Sequence, residues 1–260
     1  MVTDGYKSAG LKRVLQGSKK EFANLKGGLM MILAIGEMMN SSSFKSKICK
    51  QNMIQVLAYL FENCEFQKDN KTLEEFRTCL FQILEQMAKN SKLLISNSKD
   101  ILESLLPVIV KKIESDSNDV RFQSLKAFTD FITQYLCDEK IYNSEENNES
   151  TQCINELILK KLFPHYGLIL SDADPMPLFG LKLLSVVVER NSAFVVILNK
   201  LKLIEILFQY FEVNHAKFNS FTVKIIRAII HSREIELVDL MQMNIIDKMN
   251  GIFENVMKNN

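Results

Sequence analysis

The sequence has few of the features that mark secreted, membrane-spanning or charge-driven proteins. Its five cysteines are odd in number and none are spaced as Cys-x-x-Cys, which disfavours a disulfide scaffold and favours a reducing compartment. The longest unbroken apolar run, Leu29 to Ile35, is too short to cross a membrane, and the first residues lack the apolar segment of a secretory signal. A formal net charge of +1 gives the whole chain no attraction to nucleic acid or acidic lipid. These absences predict a cytoplasmic protein that does not bind membranes.

Residue patterns for catalysis or metal binding are also sparse. The sequence has three histidines: His165, His215 and His231. None has Cys, Asp or Glu at metal-ligand spacing, so helix capping or partial burial explains them better. Asp172 and Asp174 stand in a turn before a helix, where carboxylates cap helices more often than they act as an acid–base pair. The glycines between Gly5 and Lys12 lack the Gly-Lys-Ser/Thr ending of a phosphate loop. We therefore predict no enzyme activity, catalytic residue, metal, cofactor or small-molecule substrate.

Helical periodicity extends through most of the chain. Apolar residues recur three or four positions apart, as between Leu73 and Met87, and polar segments such as 115–119 separate the runs. Thr72 and Glu75 have the spacing of a helix capping box. No run alternates in the manner of a strand between hairpin dipeptides. The fold class predicted by these patterns is all-α.

Polar segments define the predicted domain limits. Residues 1–20 are basic and interrupted by glycine, which predicts a tail. Residues 138–151 contain a low-complexity run that predicts a mobile loop. We expect residues 21–260 to form one helical-repeat domain with a flexible insert near 138–151. Pro107 and Pro164 each lie inside a helical run, where the helix should kink or begin later.

A spacing of 42 residues relates several helical segments. The aligned pairs are Leu181-Lys-Leu-Leu with Val223-Lys-Ile-Ile, Leu203-Ile204 with Ile245-Ile246, and Phe211 with Phe253. Earlier in the chain, Leu125-Lys126 aligns with Leu181-Lys182 at 56 residues, and the polar insert accounts for the difference. A period in the low forties is typical of armadillo and HEAT arrays. We predict an armadillo/HEAT-like right-handed helical solenoid in which long, short and medium helices recur; a non-repeating helical bundle is the alternative.

Several motifs in the second half of the chain carry a family resemblance. They are His165-Tyr166, Asp172-Ala-Asp-Pro-Met-Pro, Leu181-Lys-Leu-Leu, Glu189-Arg-Asn and Lys202-Leu-Ile. The stretch Asp172–Ile204 resembles the C-terminal armadillo region of the Unc-51-like pseudokinases, the branch related to the Fused kinase, and the likeness is good over residues 160–245. No Gly-x-Gly-x-x-Gly, His-Arg-Asp or Asp-Phe-Gly motif is present, so nucleotide binding is not carried over. The resemblance implies a scaffold arm whose partners include ciliary components or a related kinase, in the cytoplasm or the axoneme of a cilium or flagellum.

The repeat alignment selects six candidate residues on the long helices, which line the concave face of an armadillo array. Lys126, Lys182 and Lys224 are equivalent, and Phe81 is their looser counterpart. Asp130 lies one turn further along and Arg190 two turns further along. We predict that these residues bind an extended acidic peptide or a partner helix. The alternative is that the lysines are solvated and bind no partner.

Two further interpretations concern the ends of the chain. Residues 1–50 contain nine Lys or Arg against three Asp or Glu, so a nucleic-acid-binding repeat protein is the alternative function. The absence of interleaved exposed aromatic residues and the near-neutral total charge disfavour it. The terminal helical units read as incomplete, which predicts a longer solenoid or end-to-end self-association. The residues expected to lack a covering helix are Ile245, Ile252, Phe253 and Val256.

Overall fold

The computed structural model describes residues 53–63, 71–142, 147–209 and 216–258, together with Gly36 and Ser41. Over these residues every regular element is a helix, which confirms the predicted all-α class. None of the described helices is long and apolar enough to cross a lipid bilayer. The predicted basic tail over 1–20 and the nine basic residues counted over 1–50 lie outside the described residues.

The helices group into two compact units that meet in sequence between Lys161 and Leu162. In the first unit the long helices α2 and α6 pack against each other, and α5 packs against α1 and α6. Its core contains fully buried Leu80, Leu84, Phe128 and Ile132. The described helices of this unit are α1 Met53–Asn63, α2 Lys71–Ala88, α3 Ser91–Ser96, α4 Ser98–Asp100, α5 Leu106–Lys112, α6 Asn118–Cys137, α7 Glu139–Tyr142 and α8 Asn147–Leu157.

In the second unit the long helices α10 and α13 pack against each other, and α12 packs against α9 and α11. The described helices are α9 Tyr166–Leu170, α10 Met176–Arg190, α11 Ala193–Lys200, α12 Leu203–Gln209, α13 Ala216–Ser232, α14 Leu237–Gln242 and α15 Ile245–Lys258. Ile245, which we expected to lack a covering helix, is only 4% exposed, so that expectation is wrong. The neighbouring Ile246 is 56% exposed instead, because successive residues of a helix point to different sides. The side chains of the other three residues named with Ile245 lie outside the described residues.

The helix order repeats as the sequence predicts. Each of the long helices α2, α6, α10 and α13 is followed by at least two shorter helices. The 42-residue spacing also appears in the backbone. Lys202 and Asn244, one spacing apart, both have φ of 54°, in the left-handed region, shortly before α12 and α15 respectively. The repeat therefore extends from residue type to backbone conformation.

The two internal prolines shape the segments before two of the long helices. A π-helical turn, Ile101–Leu105, precedes Pro107, and a second, Ile158–Leu162, precedes Pro164. Proline has no N–H to donate to the carbonyl four residues earlier, so a regular α-helix cannot continue through it. Pro107 instead lies in the first turn of α5, and Pro164 lies in a 3-10 turn before α9. At each proline, where we predicted that the helix would kink or begin later, the type of helix changes.

We expected a mobile loop over residues 138–151, but most of the described part of this segment is helical. Helix α7 lies within it and α8 begins at Asn147, while residues 143–146 lie outside the described residues. Ile141 is 2% exposed and anchors α7 to the core. At the other end, the hydroxyls of Ser150 and Ser98 share a buried hydrogen bond of 2.8 Å. The low-complexity composition of the segment gave no indication that Ile141 and Ser150 are buried.

Two buried tyrosines tie long helices to the segments before them. The Tyr135 hydroxyl of α6 donates to the Leu94 carbonyl of α3 at 3.2 Å. The Tyr166 hydroxyl of α9 donates to the Gly180 carbonyl of α10 at 2.5 Å. Burial raises the pKa of Tyr166, which keeps its hydroxyl protonated as a donor. These hydrogen bonds fix the long helices in position.

The left-handed backbone at Lys202 gives a stability prediction. Replacing this exposed residue by glycine should raise the free energy of unfolding by about 1 kcal/mol, because glycine adopts positive φ without steric cost. Urea unfolding followed by circular dichroism measures the change. As a control, Glu75→Gly in the exposed interior of α2 should lower the free energy of unfolding by a similar amount. Equal destabilisation by both variants would contradict the left-handed assignment.

Candidate functional site

A groove of about 300 Å³ lies between the long helices α2 and α6. The positions that line it recur at intervals of three or four residues along each helix, so they belong to one face. The opposite faces bury residues such as Leu80 and Phe128 in the core. The lining residues are Arg77, Thr78, Phe81, Gln82 and Glu85 from α2, and Asp119, Gln123, Lys126, Ala127 and Asp130 from α6. Three of the six residues predicted from sequence, Phe81, Lys126 and Asp130, therefore share one groove.

The groove contains charges of both signs, and its central lysine is paired. The Lys126 ammonium lies 3.5 Å from one Glu85 carboxylate oxygen, and Lys89 donates to the other at 2.8 Å. The hydrogen bond from Lys89, followed by the charge of Lys126, holds the pKa of the Glu85 carboxyl below its usual range. Both side chains of the Lys126–Glu85 pair are about one-third exposed, so solvent weakens the pair. An incoming carboxylate would compete with Glu85 for Lys126.

Phe81 forms part of the apolar floor of the groove. It is 7% exposed and packs edge-to-face on Phe61 of α1, with ring centroids 5.1 Å apart. This burial gives Phe81 a supporting role and leaves little of its ring open to a partner. The repeat alignment made Phe81 the looser counterpart of the three lysines but did not show that its ring turns inward.

The uncharged polar residues of the groove were not among the six residues predicted from the sequence. Gln82 is exposed, Gln123 is half-buried and Thr78 is exposed, and all three line the groove. Amide side chains carry both donors and acceptors, as a peptide backbone does, so they suit an extended chain. The signal that could have identified Gln123 is its position three residues before Lys126, on the same helix face.

The other three candidate residues lie in the second unit, on α10 and α13. The Lys182 ammonium is 5.5 Å from the centroid of the Phe179 ring, one turn earlier on α10, in a cation–π contact. Arg190 and Lys224 are exposed. Helix α13, which carries Lys224, contains no Asp or Glu. Lys182 and Lys224 thus stand at equivalent repeat positions on two packed helices, and a single ladder through all six residues stays a prediction.

Comparison with known proteins identifies relatives of the chain. It is 23% identical over 233 residues to the serine/threonine-protein kinase RUNKEL of Arabidopsis thaliana, covering 89% of this chain and 17% of that protein. It is 28% identical over 137 residues to the serine/threonine-protein kinase ULK4 of Mus musculus, covering 52% of this chain and 10% of that protein. The chain therefore spans less than a fifth of the length of these relatives.

A solved structure and a family model agree on the architecture. The crystal structure of an engineered protein has a TM-score of 0.58 to this chain at 11% identity, covering 97% of this chain and 96% of that one, which shows the fold alone. The family model for serine/threonine-protein kinase ULK4-like HEAT repeats matches residues 10–196. The match reaches much further towards the N-terminus than the motifs of residues 160–245 and includes the whole α2–α6 groove. The armadillo/HEAT-like fold and the family predicted from the residues are confirmed: this chain belongs to the HEAT repeats of the ULK4-like family.

Proposed function

We propose that this chain is a non-catalytic scaffold that binds an extended or helical segment of another protein on its long helices. The observation that carries the proposal is the α2–α6 groove, where Phe81, Lys126 and Asp130 converge from two repeat units. Helical-repeat proteins build their binding surfaces by placing equivalent helices side by side. The groove has the apolar floor, amide groups and charges that peptide recognition needs.

We propose that the bound segment is acidic. Lys126, Lys182 and Lys224 occupy equivalent positions on successive long helices, where each could make a charge-assisted hydrogen bond to a carboxylate. Helix α13 also favours an acidic segment, because its residues 216–232 contain basic side chains and no acidic ones. Asp119 and Asp130 in the α2–α6 groove would repel a carboxylate placed beside them and so set the register of the segment.

The family also suggests a cellular setting, which we offer as part of the proposal. The matched relatives are named serine/threonine-protein kinases, and the family model describes their HEAT repeats, so we infer that this chain contributes binding and not phosphoryl transfer. We propose a ciliary, axonemal or signalling assembly as its setting, with a related kinase or ciliary components as partners. A cytoplasmic location, including the axoneme, fits this proposal.

Two other functions have less support. Nucleic-acid binding would use the basic N-terminal third, whose nine basic residues over 1–50 lie outside the described residues. A salt-dependent gel shift measures such binding. End-to-end self-association rested partly on an uncovered Ile245, which is buried. Both stay predictions.

Reversing the three equivalent lysines tests the proposed function. The variant Lys126→Glu, Lys182→Glu, Lys224→Glu should capture the partners of the wild-type chain from extracts of ciliated cells at least about tenfold less. The reason is that each charge-assisted hydrogen bond contributes roughly 1.5–3 kcal/mol. Quantitative mass spectrometry of the captured proteins measures the loss, and circular dichroism should show unchanged helix content.

A control variant separates position from net charge. The control variant is Lys99→Glu, Lys111→Glu, Lys200→Glu. It changes three exposed lysines that lie outside the long helices. We expect it to capture partners as the wild type does. Equal capture by the two triple variants would show that the lysines of the long helices are not the binding residues.

The competition by Glu85 gives a second prediction. Glu85→Gln should increase affinity for a fluorescent peptide of alternating Glu and Ala by roughly threefold to tenfold, because the Lys126 ammonium loses its internal carboxylate. An extended chain presents alternate side chains to one side, so the glutamates of this peptide share a face. Fluorescence anisotropy measures the affinity.

Two comparisons isolate the Lys126–Glu85 pair. Glu75→Gln, on the same helix but outside the groove, should leave affinity unchanged apart from a small long-range charge effect. Adding Lys126→Met to Glu85→Gln should remove the gain. If the gain persists without the Lys126 ammonium, this lysine does not bind the carboxylates.

A further inference from the structure

The charges at one end of the α2–α6 groove interact with each other. Towards the C-termini of the two helices, Glu85 accepts a hydrogen bond from Lys89 at 2.8 Å and lies 3.5 Å from the Lys126 ammonium. The hydrogen bond and charge of Glu85, followed by the charge of Asp130, raise the pKa of Lys89. A partner that bound these charges would have to displace an internal contact.

The charges at the other end of the groove stand apart. Arg77 lies in the second turn of α2 and Asp119 in the first turn of α6, and both line the groove. No ion pair joins either side chain to the other or to a further residue that the structure describes. Arg77 is half-buried and Asp119 is exposed, so a partner could reach both. We call Arg77 and Asp119 the open pair.

Uncharged polar groups lie beside the open pair. Gln82 of α2 and Gln123 of α6 line the groove, and neither amide has a hydrogen-bond partner within the described part of the chain. The Thr78 hydroxyl donates to the Glu74 carbonyl at 2.8 Å, so its oxygen can still accept. An amide offers a donor and an acceptor, as a peptide backbone does. These three side chains therefore suit the main chain of a bound segment.

We propose that the groove binds a segment that carries one acidic and one basic side chain, with the carboxylate on Arg77 and the cation on Asp119. The inference rests on the proposed scaffold function and names the charge pattern of its partner. A guanidinium binds a carboxylate through two parallel hydrogen bonds, which makes the contact at Arg77 directional. Asp119 accepts a lysine or arginine and repels a second carboxylate.

Helix packing sets the spacing of the two charges along the segment. Packed helices have axes about 8–10 Å apart. In an extended chain, side chains two residues apart share a face and are about 7 Å apart along the strand. The long Arg77 side chain spans the difference. The expected pattern is therefore Glu-x-Lys or Lys-x-Glu, with the order set by the direction in which the segment runs.

Segments with charges of a single sign fit the open pair less well. An all-acidic segment places a carboxylate beside Asp119, and an all-basic segment places a cation beside Arg77. Like charges held together in a partly buried groove lower affinity. Within the acidic segment proposed above, one basic residue therefore lies beside Asp119. The open pair contributes selectivity as well as attraction.

Peptide probes of fixed charge pattern test the proposal on the full chain. The mixed probe repeats Glu-Ser-Lys-Ser three times and presents both orders of the charge pair. An acidic probe repeats Glu-Ser six times, and an uncharged probe repeats Gln-Ser six times. Serine is a weak helix former, which favours extended probes. Fluorescence anisotropy should show that the mixed probe, although it has no net charge, binds at least about threefold more tightly than the uncharged probe.

Charge reversals identify the open pair. Arg77→Glu and Asp119→Lys should each lower affinity for the mixed probe at least about tenfold, because one attraction becomes a repulsion. The double variant Arg77→Glu, Asp119→Lys should return to within about threefold of the wild-type affinity, because the mixed probe offers its charges in both orders. A loss caused by altered folding would not be restored by the second reversal.

Reversals outside the groove are the controls. Lys71→Glu and Glu75→Lys change exposed residues of α2 that do not line the groove. They alter the net charge of the chain as Arg77→Glu and Asp119→Lys do, respectively. Each control should bind the mixed probe as the wild type does. Circular dichroism checks that every variant retains its helix content.

Four outcomes would overturn the proposal, and they separate it from the proposed function. If the mixed probe binds but reversing Arg77 or Asp119 leaves its affinity unchanged, the open pair is not the binding site and the scaffold function stands. If the double variant stays as weak as the single variants, the two residues do not act as a pair. If the acidic probe binds and the mixed probe does not, the segment is acidic without a basic residue. If neither charged probe binds, the proposed function fails as well.

Discussion

The packing of one long helix against the next is the constraint on which this structure depends. Helix α2 packs on α6 in the first unit, and α10 packs on α13 in the second. A single helical repeat cannot bury its apolar face alone, so the neighbouring repeats must cover that face. That requirement assigns the sides of each long helix. In α2 and α10, one side enters the core, another meets the next long helix of the same unit, and the remaining side is left for partners.

The charged groove forms where the long helices α2 and α6 pack, and this packing does not depend on its charges. Lys126, Glu85 and Lys89 pair at the surface, where solvent screening limits their contribution to stability. They are therefore free to vary for recognition, as buried Leu80 and Leu84 are not. The mixture of signs distinguishes the first unit from the basic helix α13 in the second.

The repeat also gives a reference for judging the exposure of Val223 and Ile230. An isolated exposed apolar residue is ordinary in a soluble protein. Val223 and Ile230 differ, because their equivalents Leu181 and Val188 are buried one repeat earlier. The internal comparison provides a reference that a non-repeating fold would lack.

The sequence by itself determined the helical class, the order of long, short and medium helices, and the 42-residue equivalences, because these depend on local periodicity and on the missing N–H of Pro107 and Pro164. Only the tertiary structure showed that Ile141 anchors a helix in the polar insert, that Ile245 is buried beside exposed Ile246, and that Lys126 is paired with Glu85. A pattern gives the face of a helix on which a residue lies. The side chain it meets there depends on how distant helices pack, and no local periodicity encodes that.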